Sequence, residues 1–542
     1  MKKSRLALAA ALIAVACTSP SDRSETSSQE SPSSAATDNG SISGGETGDL
    51  ACWSAPTGGE AGPIQFEDAT EQFGLVEPLL GMHGHAAAFG EVNGDLDPDL
   101  VVGTFGDREP EAYQERGADG PRHDQLLLSA PLTANDSWST ELGRTSGAVF
   151  ADFDADGDDD LLLVRHAGVD GTFPVPSRLF ENEDGTLTAH SEPLPADFRG
   201  RTPAVADYDS DGLLDLYVSE DNFGEKGGLL LHNEGSIEFA DVTAGSGLEG
   251  DLSLSAMNAD LNSDQMPDLA TSNGVYINQG GTQFENVTPD GYVAEPIGEE
   301  DDPAGVAIGD LNRDRNPDIV IGQHYRDTVE HDSEVPVRVF LGPGDGTSGY
   351  EDVTESAGMS PLPTLAPHVA IADMDNDGWP DIVTTASASD GTTPAVYRNT
   401  GEDPLRFEVS DGLGSDQYWI GGPLVDIDRD GRLDMFAVEW EPSLPSMLFR
   451  NTGESGHWLE ISIDEPGRGI GYQVTASTTN GDLIGTQEIG VGGGYSSGRL
   501  PVSHFGLGSE EAARVTITDR LGNLVDLGEL AGDQHIRWPE GC

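Results

Sequence analysis

Lysine is almost missing from this chain. It occurs only at Lys2, Lys3 and Lys226, against 97 acidic residues, and the formal net charge is −70. Nucleic acid and anionic membrane surfaces repel such a chain, so neither is an expected partner. Cations, basic partners or a salty medium suit it. Aromatic residues make up 6%, so any core has to be built mainly from aliphatic side chains. A bilayer-crossing helix needs about 20 apolar residues. The apolar run LALAAALIAVA at 6–16 is too short for that, and it follows the basic MKKSR. Together they read as an export signal.

Cysteine is equally scarce, at three residues. Cys17 closes the export segment in the sequence AVAC, which resembles a bacterial lipobox with Ala14 where leucine is more usual. The resemblance implies cleavage before Cys17 and lipidation of its thiol, hence a cell-envelope lipoprotein at the outer membrane or cell surface. Simple secretion is the alternative. Residues 18–50 hold almost nothing apolar and read as a disordered Ser/Thr/Gly-rich tether. In an exported protein the two remaining cysteines, Cys52 and Cys542, are expected to pair. Two free or intermolecular thiols are the other possibility.

One pattern recurs seven times. It is AFGEVNGDLDPDLVVG from 88, ADFDADGDDDLLLV from 151, VADYDSDGLLDLYVSE from 205 and MNADLNSDQMPDLATS from 257. It continues as AIGDLNRDRNPDIVIG from 307, IADMDNDGWPDIVTTA from 371 and LVDIDRDGRLDMFAVE from 424. A loop that is merely solvated has no need of oxygen-bearing residues at fixed offsets. The shared form is D-x-[DN]-x-D-G-x-x-D between apolar strands. Positions 1, 3 and 5 converge on one point, as in the first half of an EF-hand loop, and glycine at 6 permits the sharp turn. Position 7 offers a backbone carbonyl, so its side chain is free to vary among Asp158, Leu213, Trp379 and Arg432. Position 9 adds a further carboxylate. Hard oxygen ligands on a flexible loop suit Ca²⁺, about one ion per repeat.

Loops two, three, six and seven are complete: Asp152, Asp154, Asp156 and Asp160; Asp207, Asp209, Asp211 and Asp215; Asp373, Asp375, Asp377 and Asp381; Asp426, Asp428, Asp430 and Asp434. Loop four has Asp260, Asn262, Asp264 and Asp268, and loop five has Asp310, Asn312, Asp314 and Asp318. In these two, Gln265 and Arg315 replace the glycine. Loop one, with Glu91, Asn93, Asp95 and Asp99, has Leu96 there. Weaker binding is expected in these three loops, and loop one is the first expected to be empty.

Each loop joins two short strands. A third follows, as in SRLFEN, GLLLHN, GVYINQ and AVYRNT, and a fourth reads FADVT, FENVT or YEDVT. This predicts an all-β chain: a seven-bladed β-propeller with calcium-binding loops over 51–453, then a small C-terminal β domain over 454–542. The seventh repeat lacks a fourth strand after SMLFRN, and IQFEDATEQFGL at 64 supplies one, so the ring is expected to close by that strand. The repeats resemble the FG-GAP/VCBS class of integrin α-chain propellers and bacterial surface proteins, on AFGEVNGD and AIGDLNRD. GGGYSSGRLPVSHFGLG at 492–508 and the terminal RWPEG are similar to the ASPIC/UnbV domain. RGIGYQV at 468 departs from that domain's usual run, so no role for its arginine carries over. The combination is similar to that of cartilage acidic protein and its bacterial relatives. It implies a calcium-bound extracellular propeller without established catalysis.

Two functional classes follow. The first is a surface binding or adhesion module for an extracellular protein or glycan, meeting the membrane only through Cys17. The second is a hydrolase or lyase on extracellular polysaccharides or esters, with structural calcium. For the second, GYSSG around Ser496 matches G-x-S-x-G but lacks the strand-to-helix elbow that motif needs. A tight turn or bulge suits this glycine-rich stretch better. His83, His85 and His368 precede inner strands and read first as ordinary hydrogen-bonded histidines. Trp419 reads first as core. No catalytic residue is assigned.

Overall fold

The computed structural model describes residues 51–542 except 109, 116, 129–131, 136, 139, 169–174, 222, 223, 225, 293–300, 326–336, 344–348, 360–366, 386–395, 411–418, 540 and 542. The export segment, Cys17 and the tether lie outside the described residues.

Strands dominate. Each repeat builds on an antiparallel sheet of four, as in Gly200–Ala206, Asp215–Glu220, Leu229–Asn233 and Phe239–Asp241 of the third, and the sheet of the first is widened to six by Gly492–Gly493 and Ser497–Gly498. The acidic loop is the turn between the first two strands. The seventh sheet takes its outer strand from the other end of the chain: Phe66–Asp68 pairs with Met447–Asn451, Phe66 opposite Asn451.

Strand alternation sends successive side chains to opposite faces, so each sheet has two apolar faces to bury. In the first repeat Ala87, Phe89, Leu100 and Val102 pack on Val425, Phe436 and Val438 of the seventh. Ala86, Ala88 and Val101 pack on Ala148, Leu161 and Leu163 of the second. A cluster of this kind fills the space between each neighbouring pair of sheets, including the last and the first. The core is therefore distributed around a cycle of sheets, which lets so long a chain fold without one oversized centre.

The innermost strands approach closely. A Cβ on Gly147 would lie 2.1 Å from the Arg201 carbonyl oxygen of the next sheet, so only glycine fits there.

The C-terminal region is two stacked four-stranded sheets around Leu459, Ile461, Val474, Phe505 and Val515. Ala51–Ser54 belongs here, paired with Gln534–Trp538. The expected propeller boundary at 51 is thus displaced, because this strand covers an otherwise open sheet edge. Cys52, on that strand, is disulfide-bonded. Cys542, its expected partner, lies outside the described residues.

Candidate metal loops and the axial plug

The acidic loops are held open by their own backbone. In loop two, Asp156 N donates to Asp152 Oδ1 (3.0 Å), Gly157 N to Asp152 Oδ2 (3.2 Å) and Asp158 N to Asp156 Oδ1 (3.0 Å). Loops three, six and seven repeat the set. Position 4 is left-handed in these loops, at Ala155, Ser210, Asn376 and Arg429.

Donor oxygens lie within 4.8 Å of one another in four groups of aspartates: Asp152, Asp154 and Asp156; Asp207, Asp209 and Asp215; Asp373, Asp375 and Asp381; Asp426, Asp428 and Asp434. These belong to the four loops that are complete in sequence. A fifth group adds His232 to Asp209 and Asp211. That histidine comes from the third strand, and the repeat pattern did not point to it.

Burial makes the clustered charge costly. It pushes the Asp154 carboxyl up to about 6, with Asp156 and Asp152 adding repulsion. Burial raises Asp160 to about 8 and Asp215, Asp377 and Asp430 to about 6. Asp373, Asp381, Asp426 and Asp434 are raised well above the usual carboxylate range by burial, with neighbouring carboxylates adding to it. A divalent cation relieves this, and the all-oxygen donor set suits a hard one.

In the incomplete loops burial raises Asp268 to about 8 and Asp310 to about 6 as well, but an amide takes part in the cluster. Asn262 Nδ2 donates to Asp264 Oδ2 (2.9 Å), and Asn312 Nδ2 to Asp314 Oδ2 (3.0 Å). An amide hydrogen stands where an ion would bridge. Asp260, Asp268, Asp310 and Asp318 keep the repeat backbone geometry, with Gln265 and Arg315 forced to positive φ where glycine is missing. That conformation costs a non-glycine residue roughly 1–2 kcal/mol. In loop one, Glu91 Oε1 instead accepts from Gly94 N and Asp95 N, while Asn93 Oδ1 accepts from Asp95 N. Among the described residues, loops one, four and five form no acidic group of three.

Position 9 does more than close a cage. Asp160 Oδ2 accepts from Phe153 N (3.0 Å) and Oδ1 from Asn182 N (2.9 Å), tying the loop to the third strand. The same asparagine reaches the neighbouring sheet: Asn182 Nδ2 donates to Val92 O (3.0 Å). Asn233, Asn278, Asn399 and Asn451 make the equivalent bond to Phe153, Tyr208, Leu311 and Met374. Sequence reasoning missed these asparagines, although their recurrence at the end of the third strand was a readable signal. In the fifth repeat Gly342 takes the position, so that bond has no donor.

In repeats two, three, six and seven the residue before the asparagine acts on the loop and distinguishes the copies. Glu181 adds negative charge near Asp154. Arg398 instead pairs with Asp375 and Asp377, both at 2.6 Å. Arg450 pairs with Asp428, and Arg432 with Asp430. Loop two is therefore the most anionic, whereas loops six and seven carry an internal counter-cation.

The C-terminal sheets rest on this loop face. Gly467 N donates to Asp152 Oδ2 (2.9 Å), and Arg468 pairs with Asp159 (3.0 Å). Arg520 pairs with Asp207 (3.2 Å), and Asp260 N donates to Glu488 Oε2 (2.9 Å). From there the glycine-rich 492–498 segment runs as a hairpin between the innermost strands. Ser497 pairs with Ala87, Gly494 bridges Val306, and Tyr495 is buried against Leu254, Ala304 and Ile420. At Gly494, φ is +65° and a Cβ would lie 2.3 Å from the His368 ring, so glycine is required.

This plug accounts for the isolated candidates. Ser496 is fully buried with φ +57° in a hairpin of two-residue strands, not on a nucleophile elbow. His368 Nδ1 accepts from Tyr495 N (3.1 Å), and burial holds its pKa at about 4. His83 donates Nδ1–H to Trp440 O (2.8 Å). His85 stacks on Phe105 at 4.3 Å and accepts from Arg201 (3.1 Å). Trp419 is core, edge-on to Phe449.

Comparison with known proteins agrees with this arrangement. The FG-GAP-like repeat family matches residues 152–218, 260–321 and 373–437, and the ASPIC and UnbV family matches 464–541. Cartilage acidic protein 1 of Mus musculus is 26% identical over 425 residues, covering 71% of this chain and 62% of that protein. The Homo sapiens protein is 25% identical over 429 residues, covering 72% and 62%. The matches thus span less than two thirds of these relatives. Among solved structures, a rhamnogalacturonan lyase of Bacillus licheniformis has a TM-score of 0.40 at 12% identity, covering 75% of this chain and 76% of its own. The V. cholerae biofilm matrix protein Bap1 has a TM-score of 0.30 at 12% identity, covering 88% and 76%. The chain is built from FG-GAP-like repeats and a C-terminal ASPIC and UnbV domain, and it is a homologue of cartilage acidic protein 1.

Proposed function

We propose that this protein is an exported, calcium-loaded seven-bladed propeller that acts at the cell surface as a binding module for an extracellular protein or glycan. The observation that carries the calcium reading is the convergence of three aspartates in each of the four complete loops, at positions 1, 3 and 5 in loop two and at positions 1, 3 and 9 in loops three, six and seven. Burial and neighbouring carboxylates raise Asp373 and Asp426 well above the usual carboxylate range, a cost that a bound cation would offset. The closed cycle of seven interfaces supports the blade count. Homology to cartilage acidic protein 1 supports an extracellular setting. Attachment through a lipidated Cys17, with residues 18–50 as spacer, would place the propeller away from the membrane.

Two measurements test the reading. Calcium stoichiometry and melting temperature with and without chelator should give at least the four ions of the complete loops and a large calcium-dependent rise. Little bound calcium and no shift would remove the metal sites. Binding screens on glycan and protein arrays should then give saturable, calcium-dependent binding without product. Turnover of a polysaccharide or ester, abolished by substitution of His83 or His85, would replace the binding module with a hydrolase or lyase.

A further inference from the structure

A second kind of metal chemistry is laid out on the C-terminal sheet. Glu460, His504 and His535 sit on three adjacent strands. Glu460 is the register partner of both histidines, His504 on one side and His535 on the other. Directly opposed residues share a face with Cβ atoms about 5 Å apart. All three are buried, at 5%, 6% and 5% exposure. All three line a cavity of about 190 Å³ between this sheet and the inner strands of repeats five to seven.

Their polar atoms are not used up. Glu460 Oε2 and His504 Nδ1 are buried without a hydrogen-bond partner, and His535 Nδ1 makes a long contact with Glu460 Oε1. The opposite ring nitrogens are engaged. His504 Nε2 lies 2.9 Å from Asn376 Oδ1, and His535 Nε2 lies 2.8 Å from Ser462 Oγ. The Asn376 amide group donates to Gly431 O and Ser455 Oγ, which fixes Oδ1 as the acceptor. His504 therefore carries its hydrogen on Nε2, and its Nδ1 keeps a bare lone pair. Burial favours that neutral ring. A metal-bound histidine is usually oriented in this way, through a hydrogen bond from its other nitrogen.

We propose that Glu460, His504 and His535 bind one first-row transition-metal dication of the zinc class, at a site separate from the aspartate loops. Two imidazoles and a carboxylate select such an ion, whereas the all-oxygen loops select calcium. His535 Nδ1 is 3.5 Å from Glu460 Oε1, and the three donor atoms do not all lie within 4.8 Å of one another, so the ion draws the His504 ring inward. The nearby Arg429 is countered by Asp97 at 2.6 Å.

The test is a Co²⁺ titration of the full chain kept saturated with calcium, followed by visible absorption. One equivalent should give a d–d spectrum that Zn²⁺ abolishes. Glu460→Gln and His535→Gln should each weaken it at least tenfold, and Asn523→Ala, at an exposed turn, should leave it unchanged. No saturable spectrum, or one that excess calcium removes, would show a plain Glu460–His535 ion pair and overturn the proposal. So would an equal spectrum in the two site variants. Should those variants not fold, anomalous diffraction at the zinc edge on wild-type crystals decides. A peak beside Glu460 sustains the site, and its absence rejects it.

Discussion

Asp154→Asn should change the sign of its effect with calcium. The Asp154 carboxyl is raised from 3.8 to about 6 by burial, Asp156 and Asp152. At pH 7.5 it is ionised in folded and unfolded chains, so the folded loop bears the whole repulsion. A shift of that size corresponds to about 3 kcal/mol, which solvent screening of this partly exposed group reduces to about 1 kcal/mol. Asparagine removes the repulsion. It can also donate to Asp156, as Asn262 donates to Asp264 in loop four. In chelator the variant should therefore be about 1 kcal/mol more stable than wild type. In calcium held at about 100 times the dissociation constant, an intact loop gains about 2.7 kcal/mol, and the variant should forfeit most of it. Urea denaturation in EDTA and in calcium, at pH 7.5, reads both signs. A loss of stability in both buffers, or no difference between them, would refute the cage.

Asn182→Ala leaves the Val92 and Asp159 carbonyls and the Gly185 amide without partners. It should cost about 2–4 kcal/mol with or without calcium, whereas Asn523→Ala, an exposed turn residue, should stay within about 0.5 kcal/mol in the same urea assay. His368 has a folded pKa of about 4 against 6.5 unfolded, because it is buried. The unfolded chain binds the extra proton, so the contribution is complete above pH 6.5 and is lost as pH falls toward 4. The full span is about 3 kcal/mol. Subtracting the stability–pH profile of His368→Asn should expose that slope between pH 4 and 6.5, and a flat difference would show that the ring is not held neutral.

The repeat was legible because it is periodic. Offsets 1, 3, 5 and 9 announced the acidic loops, and the missing fourth strand of the seventh repeat pointed to residues near 64, where Phe66–Asp68 indeed pairs with Met447–Asn451. The division into complete and incomplete loops was readable too, and among the described residues only the complete ones bring three acidic groups together. Contacts made once were not legible. The bonds from Ser496 to Thr202 and to His85 join residues 294 and 411 positions apart, and no period announces them. Alternation identified GVGGGYSSG as a glycine-rich turn but could not say what lies around it. Ala51–Ser54 failed for the same reason: four residues beside a propeller sequence give no hint that their partner is Gln534–Trp538.

Arginine stands at the rim of each complete loop: Arg468 beside loop two, Arg520 at loop three, Arg398 at loop six, and Arg432 and Arg450 at loop seven. Two of these, Arg468 and Arg520, belong to the C-terminal domain, so seating that domain brings cations to the loops. A calcium ion in loop three would lie near the Arg520 guanidinium, and the two would share the charge of Asp207. Without calcium, Arg520 is a main counter-charge there. With calcium, its attraction is offset by repulsion from the ion. Arg520→Ala should therefore cost about 1 kcal/mol in chelator and distinctly less in calcium. The bond from Arg520 Nε to Ile470 O is lost equally in both buffers and cancels in the comparison. An equal cost in the two buffers would mean that loop three and the domain seated on it do not share charge. A larger cost in calcium would mean that the arginine helps to hold the ion in place.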